Sequence, residues 1–348
     1  MQIQKSQKQR QESSLKQLFV KISKLAFYTI IPISIVFISI HFFTFSQTEE
    51  GENKQYNEEF KNNYSIFAVD VPKNLDFASE KIPLNNYDVL ETIDREFLVN
   101  TYWQSQTILF LKRANKYFPI IEPILKKNNV PDDFKYLAVA ESGLTNAVSP
   151  SGAKGFWQFL KKTGKEYNLE INKEVDERYN LEKSTQAACD FFNKSYKKFG
   201  NWTLVAASYN MGMNGLNKQL KRQYTNNYWD LLLNSETSRY VNRIVAIKTI
   251  LNNPDKFGFH VRKKDLYPII ETTSIEIDST VNDFGLFAFE HGMNYKILKM
   301  LNPWLRNNKL TNKSRKKYTI LVPKENNRDF YIPDSLKTNS DTIKFNKN

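Results

Sequence analysis

The order of apolar and polar positions divides the chain into stretches of different kinds. Leu25 to Phe45 is a run of twenty-one residues without a formal charge, long enough for a bilayer core that needs about 20 apolar residues. Residues 46–85 are polar, weakly periodic and interrupted by Pro72 and Pro83, which reads as a linker. A helical pattern then sets in from Asp88 to Tyr117. It is followed by a helix with Asn129 as N-cap, Pro131 in its first turn and Gly143 at its end, because proline tolerates the start of a helix and glycine the left-handed position after it. On that helix Phe134, Leu137, Ala138 and Glu141 fall on one stripe, since i, i+3, i+4 and i+7 share a face.

The pattern continues with a short helix opened by Gly155-Phe156-Trp157-Gln158-Phe159 and ended at Gly164. A helix over Leu181 to Phe199, capped by Ser184 and stopped by Gly200, follows it. Asn201 caps the next, on which Trp202, Val205, Ala206 and Tyr209 share a stripe, and Glu236 to Leu251 forms another. After Pro254 the period changes. Thr273 to Asp278 alternates as a strand, Phe284 to His291 and Asn294 to Leu301 read as short helices, and Tyr318 to Pro323 closes as a second strand.

Composition and charge sharpen the picture of the N-terminus. Lys5, Lys8, Arg10, Lys16, Lys21 and Lys24 face Glu12 alone before the charge-free run, and Glu49, Glu50 and Glu52 follow it. This bias places the N-terminus in the cytoplasm and the rest outside. A cleaved signal peptide would have a shorter apolar region and a small-residue cleavage site, which Phe42-Phe43-Thr44-Phe45-Ser46-Gln47 does not offer. The chain carries a net charge of +13, with +5 of it in residues 1–45. On an exported chain such a surface suits anionic cell wall or lipid head groups better than nucleic acid, for which no recognition motif is present.

The single Cys189 rules out an internal disulfide. Three histidines, at 41, 260 and 291, give no metal-ligand spacing and argue equally against a Ser-His-Asp site. No metal or cofactor is expected. The candidate chemistry rests on Glu141, because a carboxylate on an apolar face bears a desolvation cost that raises its pKa and keeps a proton available near neutrality. A glutamate that turns out to solvent at a helix end is the bland alternative. Tyr209 likewise reads, by its stripe alone, as a core tyrosine with its hydroxyl on a backbone acceptor.

Three motifs in order weigh against the bland readings. Glu141-Ser142-Gly143, then Ser149 to Phe159 (SPSGAKGFWQF), then Ser208-Tyr209-Asn210-Met211-Gly212 resemble the signature of the soluble lytic transglycosylase family, whose fold is similar to goose-type lysozyme. The likeness is to the membrane-bound lytic transglycosylase D type. Ser208 stands where the family has alanine. The stretch Glu96 to Asp133 is similar to the family's lead-in. Residues 273–323 resemble a degenerate LysM module without the usual Gly-Asp-Thr-Leu after its first strand. Such modules bind N-acetylglucosamine chains, so this one is expected either to deliver the enzyme to glycan or to serve only as a cap.

The resemblance implies a mainly α chain: a lysozyme-like, goose-type helical catalytic domain after one transmembrane helix, followed by a small α+β LysM-like module. The expected divisions are a basic tail 1–24, an anchor 25–45, a linker 46–85, a catalytic domain 86–260, a LysM-like module 270–325 and a polar tail 326–348. The expected location is the inner (cytoplasmic) membrane, crossed once, with the catalytic domain periplasmic or extracytoplasmic. The implied activity is cleavage of the β-1,4 bond between N-acetylmuramic acid and N-acetylglucosamine in peptidoglycan, without water. Glu141 would act as acid and then base, and Ser142 would orient it or the substrate's acetamido group. Gln158, Tyr209 and Asn210 would line the groove, with Tyr240 at the edge of the sugar site. Two other classes stay open: a goose-lysozyme-type hydrolase, for which Asp176 or Glu177 would be the second acid, and a non-catalytic wall-binding scaffold.

Overall fold

A computed structural model describes residues 66–324, together with the isolated positions 21, 54 and 58. The expected anchor at 25–45 lies outside the described residues, and among these no helix is long and apolar enough to cross a membrane. The strands and helices from residue 76 onward belong to one unit, which begins at Val69.

That unit opens with a hairpin, β1 (Asp76–Phe77) paired antiparallel to β2 (Glu80–Lys81). The two residues between them, Ala78 and Ser79, both have positive φ, 52° and 65°. That is the backbone of the tight hairpin turn whose twist matches its strands. The expected linker 46–85 therefore has structure at its end, and the reason is burial: Leu75, Phe77 and Ile82 enter the main core. The hairpin is also stitched in by charge. The Glu80 carboxylate accepts from Trp202 N–H (2.6 Å), Thr203 N–H (2.9 Å) and Thr203 Oγ1 (2.6 Å), capping a helix more than a hundred residues away.

The helical body comes next in the chain. Helix α1 (Tyr87–Tyr102) and α2 (Gln104–Lys127) replace the single helical stretch expected from Asp88 to Tyr117. The break falls at Trp103, and α2 continues through Pro119 and Pro123. Each internal proline costs roughly 3 kcal/mol; burial of Ile121 and Leu125 on the same helix offsets this. Helix α3 is Phe134–Ser142 and starts later than its expected start near Asn129. Residues 131–133 form a turn instead, because the Asp133 carboxylate is occupied by Ala78 N–H (2.6 Å) and Lys248 Nζ (2.6 Å). Its end is as expected, with Gly143 left-handed.

The segment after it departs further from expectation. Residues 155–158 are a turn, and α4 runs Lys161–Glu166 with Gly164 inside it. Helix α5 is Leu181–Phe199, capped by Asn180, whose side chain accepts from Lys183 N–H; Ser184 is buried inside the helix. Helices α6 (Trp202–Met211, capped by Asn201), α7 (Met213–Arg222) and α8 (Ser235–Asn252, capped by Asn234) complete the body. Short α3 lies within the others: Phe134 packs on Phe77, Phe192 and Trp202, and Leu137 and Ala138 are fully buried.

The C-terminal module pairs β3 (Thr272–Ile277) antiparallel with β4 (Tyr318–Pro323), Ile275 opposite Ile320. Helices α9 (Phe284–Glu290) and α10 (Tyr295–Leu301), capped by Asp283 and Asn294, lie between the strands in sequence. Their buried faces, with Phe284, Leu298, Trp304, Leu305 and Ile320, form a second core.

Candidate active site

Helix α3 brings Glu141 to the edge of the main core on the stripe of Phe134, Leu137 and Ala138. Glu141 itself is partly exposed. The left-handed Gly143 stops the helix directly after Ser142, and a larger residue there is strained, since φ is 59° and a Cβ would lie 2.9 Å from the side chains of Gln106 and Phe110. Arg113 of α2 holds the Gly143 carbonyl at 3.0 Å. The carboxylate is thus fixed at a terminus pinned from outside.

From α8 the buried Tyr240 donates its hydroxyl proton to Glu141 Oε1. Burial raises the Glu141 carboxyl to about 7; the Tyr240 hydrogen bond and Arg243 oppose that rise, and the negative charge of Glu236 adds to it. The phenols of Tyr209 and Tyr240 are both pushed up, first by burial and then by the Glu141 charge, so both stay protonated. A half-ionised carboxyl beside a fixed phenol donor is suited to moving a proton in either direction near neutrality.

The other expected residues are tied in differently. Tyr209 donates to the Trp157 carbonyl (2.6 Å), and Trp157 is itself buried with Nε1 on Thr185 Oγ1 (2.8 Å). The tyrosine therefore fastens the Gly155–Gln158 turn to α6. Gln158 takes a positive φ of 48°, and its Nε2 donates to Ala147 O (3.1 Å) and Gly155 O (2.8 Å), leaving the amide oxygen for an external donor. Ser142 Oγ donates back to Ala138 O (3.2 Å) and accepts from Thr145 N–H (3.4 Å); its contacts shape the helix end and do not reach the Glu141 carboxylate. Asn210 accepts from Thr237 Oγ1 at 2.7 Å, with Nδ2 3.5 Å from Glu236.

Neither expected second acid is free for chemistry. Asp176 is held by Arg178 through Nε (2.8 Å) and Nη2 (2.7 Å), and Glu177 binds Lys183 and the Glu170 N–H. Both carboxylates are buried and fasten a loop. The acid whose charge acts on Glu141 is Glu236, which sequence reasoning missed. Its spacing, one helical turn before Tyr240, was the available signal. Among the described residues no cluster of acidic, histidine or cysteine side chains could hold a metal. A separate cavity of about 560 Å³ opens between body and module among Tyr117, Phe156, Tyr179, Trp304 and Tyr318, and Glu141 does not line it.

Comparison with known proteins matches residues 118–232 to the transglycosylase SLT domain and residues 273–326 to the soluble lytic transglycosylase C-terminal LysM-like domain. The first match includes Glu141, Ser142, Gln158, Tyr209 and Asn210; Tyr240 and Glu236 lie beyond it. The chain is similar to the membrane-bound lytic murein transglycosylase D of Escherichia coli K12 and that of Escherichia coli O6:H1. Each is 33% identical over 159 residues, covering 44% of this chain and 35% of the relative. The chain thus spans about a third of the length of these curated relatives.

Proposed function

From the premise that this chain carries a transglycosylase SLT domain and a C-terminal LysM-like domain, we propose that it is a peptidoglycan lytic transglycosylase. The observation that carries the reading is the single carboxyl of Glu141, raised to about 7 by burial and hydrogen-bonded by Tyr240. In the first step Glu141 gives its proton to the glycosidic oxygen between N-acetylmuramic acid and N-acetylglucosamine, and the C1–O bond breaks. In the second, the carboxylate takes the proton of the muramic acid 6-hydroxyl as that oxygen bonds to C1. No water is consumed, the product ends in a 1,6-anhydro ring, and Glu141 returns to its protonated state.

Each step needs a different protonation state of one group. A carboxyl near 7 has both within reach at neutral pH, and an ordinary carboxyl near 4.5 would be almost wholly ionised. Tyr240 stabilises the carboxylate between the two steps. Tyr209 keeps the Gly155–Gln158 turn against α6, so that Gln158 and Asn210 can line the sugar groove. The name of the similar Escherichia coli proteins and the charge-free run at 25–45 support a membrane-anchored enzyme whose catalytic domain faces the periplasm.

The test is mass analysis of the muropeptides released from purified sacculi. Anhydro-muramic ends are expected, and they should vanish with Glu141→Gln. Reducing muramic ends would instead mean a hydrolase, with Glu236 the acid to examine as the holder of its water. Binding without release, unchanged by Glu141→Gln, would mean a scaffold.

A further inference from the structure

The first turn of α8 carries a buried hydroxyl that the mechanism above leaves unused. Thr237 is 1% exposed, and its Oγ1 donates to Asn210 Oδ1 at 2.7 Å. Its other neighbour is Asn234 Oδ1 at 3.2 Å, but that oxygen already accepts from Glu236 N–H (3.1 Å) and Thr237 N–H (2.9 Å) as the helix cap. A hydroxyl has one proton to give, and the shorter contact takes it. The residue is held on both sides, because its carbonyl accepts from Tyr228 Oη at 2.8 Å.

This bond lies beside the acid. Thr237 and Tyr240 are three residues apart on α8, so they share a face with their Cβ atoms about 5–6 Å apart. The first bonds Asn210 in the last turn of α6, and the second bonds Glu141 of α3. One face of α8 therefore fixes two side chains that arrive from two other helices. Asn210 is half-buried, so part of its amide stays open there.

The two partners of Asn210 also fix the sense of its amide. At the oxygen end stands the Thr237 hydroxyl, and at the amino end Glu236 Oε1 lies 3.5 Å from Nδ2. That second contact is long for a hydrogen bond. It is close enough that a reversed amide would set its oxygen against a carboxylate, which like charge disfavours. With the oxygen turned inward, an N–H of Nδ2 remains for an external acceptor. A sugar hydroxyl could meet either sense of an amide, since it both donates and accepts. A fixed sense matters only against a group that accepts and cannot donate, and in a glycan of N-acetyl sugars the acetamido carbonyl is such a group.

We propose that Thr237 is a positioning residue for substrate recognition: it turns the Asn210 oxygen inward, so that Asn210 meets the glycan as a donor to an acetamido carbonyl. The proposal rests on the lytic transglycosylase reading, and Thr237 itself touches no substrate.

The experiment is calorimetric titration of the full chain carrying Glu141→Gln, which binds without cutting, with a soluble N-acetylglucosamine oligomer and with the same oligomer after de-N-acetylation. Thr237→Val keeps the shape of threonine but cannot donate. It should weaken binding of the acetylated oligomer by about two- to tenfold, the worth of one net hydrogen bond, and leave the deacetylated one unmoved. Thr237→Ser should restore the parent affinity. In an Asn210→Ala background Thr237→Val should change nothing further, because it acts through Asn210.

Parent affinity in Thr237→Val, equal weakening of both oligomers, or a loss that adds to that of Asn210→Ala would each overturn the proposal. So would an acetylated oligomer that does not bind the Glu141→Gln chain. If Thr237→Val does not fold, Thr237→Ala takes its place with the same expected outcomes. The muropeptides released by the parent chain test the underlying reading separately. Anhydro ends together with an unmoved Thr237→Val affinity remove only the role of Thr237, whereas absent anhydro ends remove the reading itself.

Discussion

The helical body and the C-terminal module are built on different terms. The body buries its own surface: α3 packs on α2 and α8, Phe134 reaches Phe192 of α5 and Trp202 of α6, and Phe134, Trp157, Phe192 and Val245 are each buried without help from the module. The module has two strands and two helices of seven residues each, and its core is completed by Val175 and Tyr179, which belong to the body's loop between α4 and α5. So small a unit has too little interior to close alone. It borrows from its neighbour.

The borrowed loop is the one that holds the Gly155–Gln158 turn. Asp176 N–H donates to Trp304 O (2.9 Å), Arg306 N–H to Glu174 O (2.7 Å) and Thr311 N–H to Glu174 Oε2 (2.6 Å), while Arg306 lies over the Tyr179 ring at 4.4 Å. On the other side of the same loop Arg178 donates to Gly152 O and Phe159 O, both at 3.2 Å. Gly155 packs so tightly there that a Cβ would sit 1.9 Å from Arg178 O. These contacts give the module a structural part beside the delivery or capping role expected of it. The module braces the loop, the loop braces Gly155 to Gln158, and Tyr209 fastens that turn to α6.

The largest expected effect tests the body alone. Glu141→Gln keeps size and a hydrogen-bonding end but loses the transferable proton, so anhydro-product release should fall by roughly 100-fold to 10,000-fold with the circular dichroism spectrum unchanged. Next comes the brace. A chain ending at Lys264 leaves Val175 and Tyr179 bare, and it should turn over short soluble glycan fragments at least about tenfold more slowly and melt several degrees lower. Wild-type turnover by the shortened chain would separate the two regions again.

Gly155→Ala sharpens the same comparison from inside the turn. Gly155 has a φ of 79° and no room for a methyl group, so the turn must shift at a cost of about 2–4 kcal/mol, read by denaturant unfolding. Gly152→Ala is the control, since that glycine shares the positive φ but meets nothing within 4 Å; its loss should be about 1 kcal/mol. The smallest effect concerns pH. The Glu141 carboxyl rises from 4.5 unfolded to about 7 folded, so the folded state binds the extra proton and loses stability as pH climbs through that window. Glu141→Gln escapes this loss. At pH 8 it should be more stable than the parent by about 1–2 kcal/mol, with allowance for the solvent that reaches the carboxyl, and below pH 4.5 the gain should vanish.

What the sequence determined by itself is what local rules govern. The 3.6-residue stripe put Glu141 on the same side as Phe134, Leu137 and Ala138, glycine ended α3 and α5, asparagine capped α6, and alternation marked β3 and β4, because these depend on residues within a turn or two of each other. Three short motifs were enough to name Glu141 as the candidate acid. Only the tertiary structure decided the rest, where the deciding partner lies far along the chain. The hairpin at 76–81 looked like linker because its stabilisation comes from Trp202, Thr203 and a distant core. Asp133 left the α3 start for Lys248 and Ala78. Asp176 and Glu177, plausible acids by position, became loop fasteners once Arg178 and Lys183 reached them. Glu236 became relevant to the candidate acid only when α8 laid Tyr240 beside it, since charge acts through space and the sequence records only order along the chain.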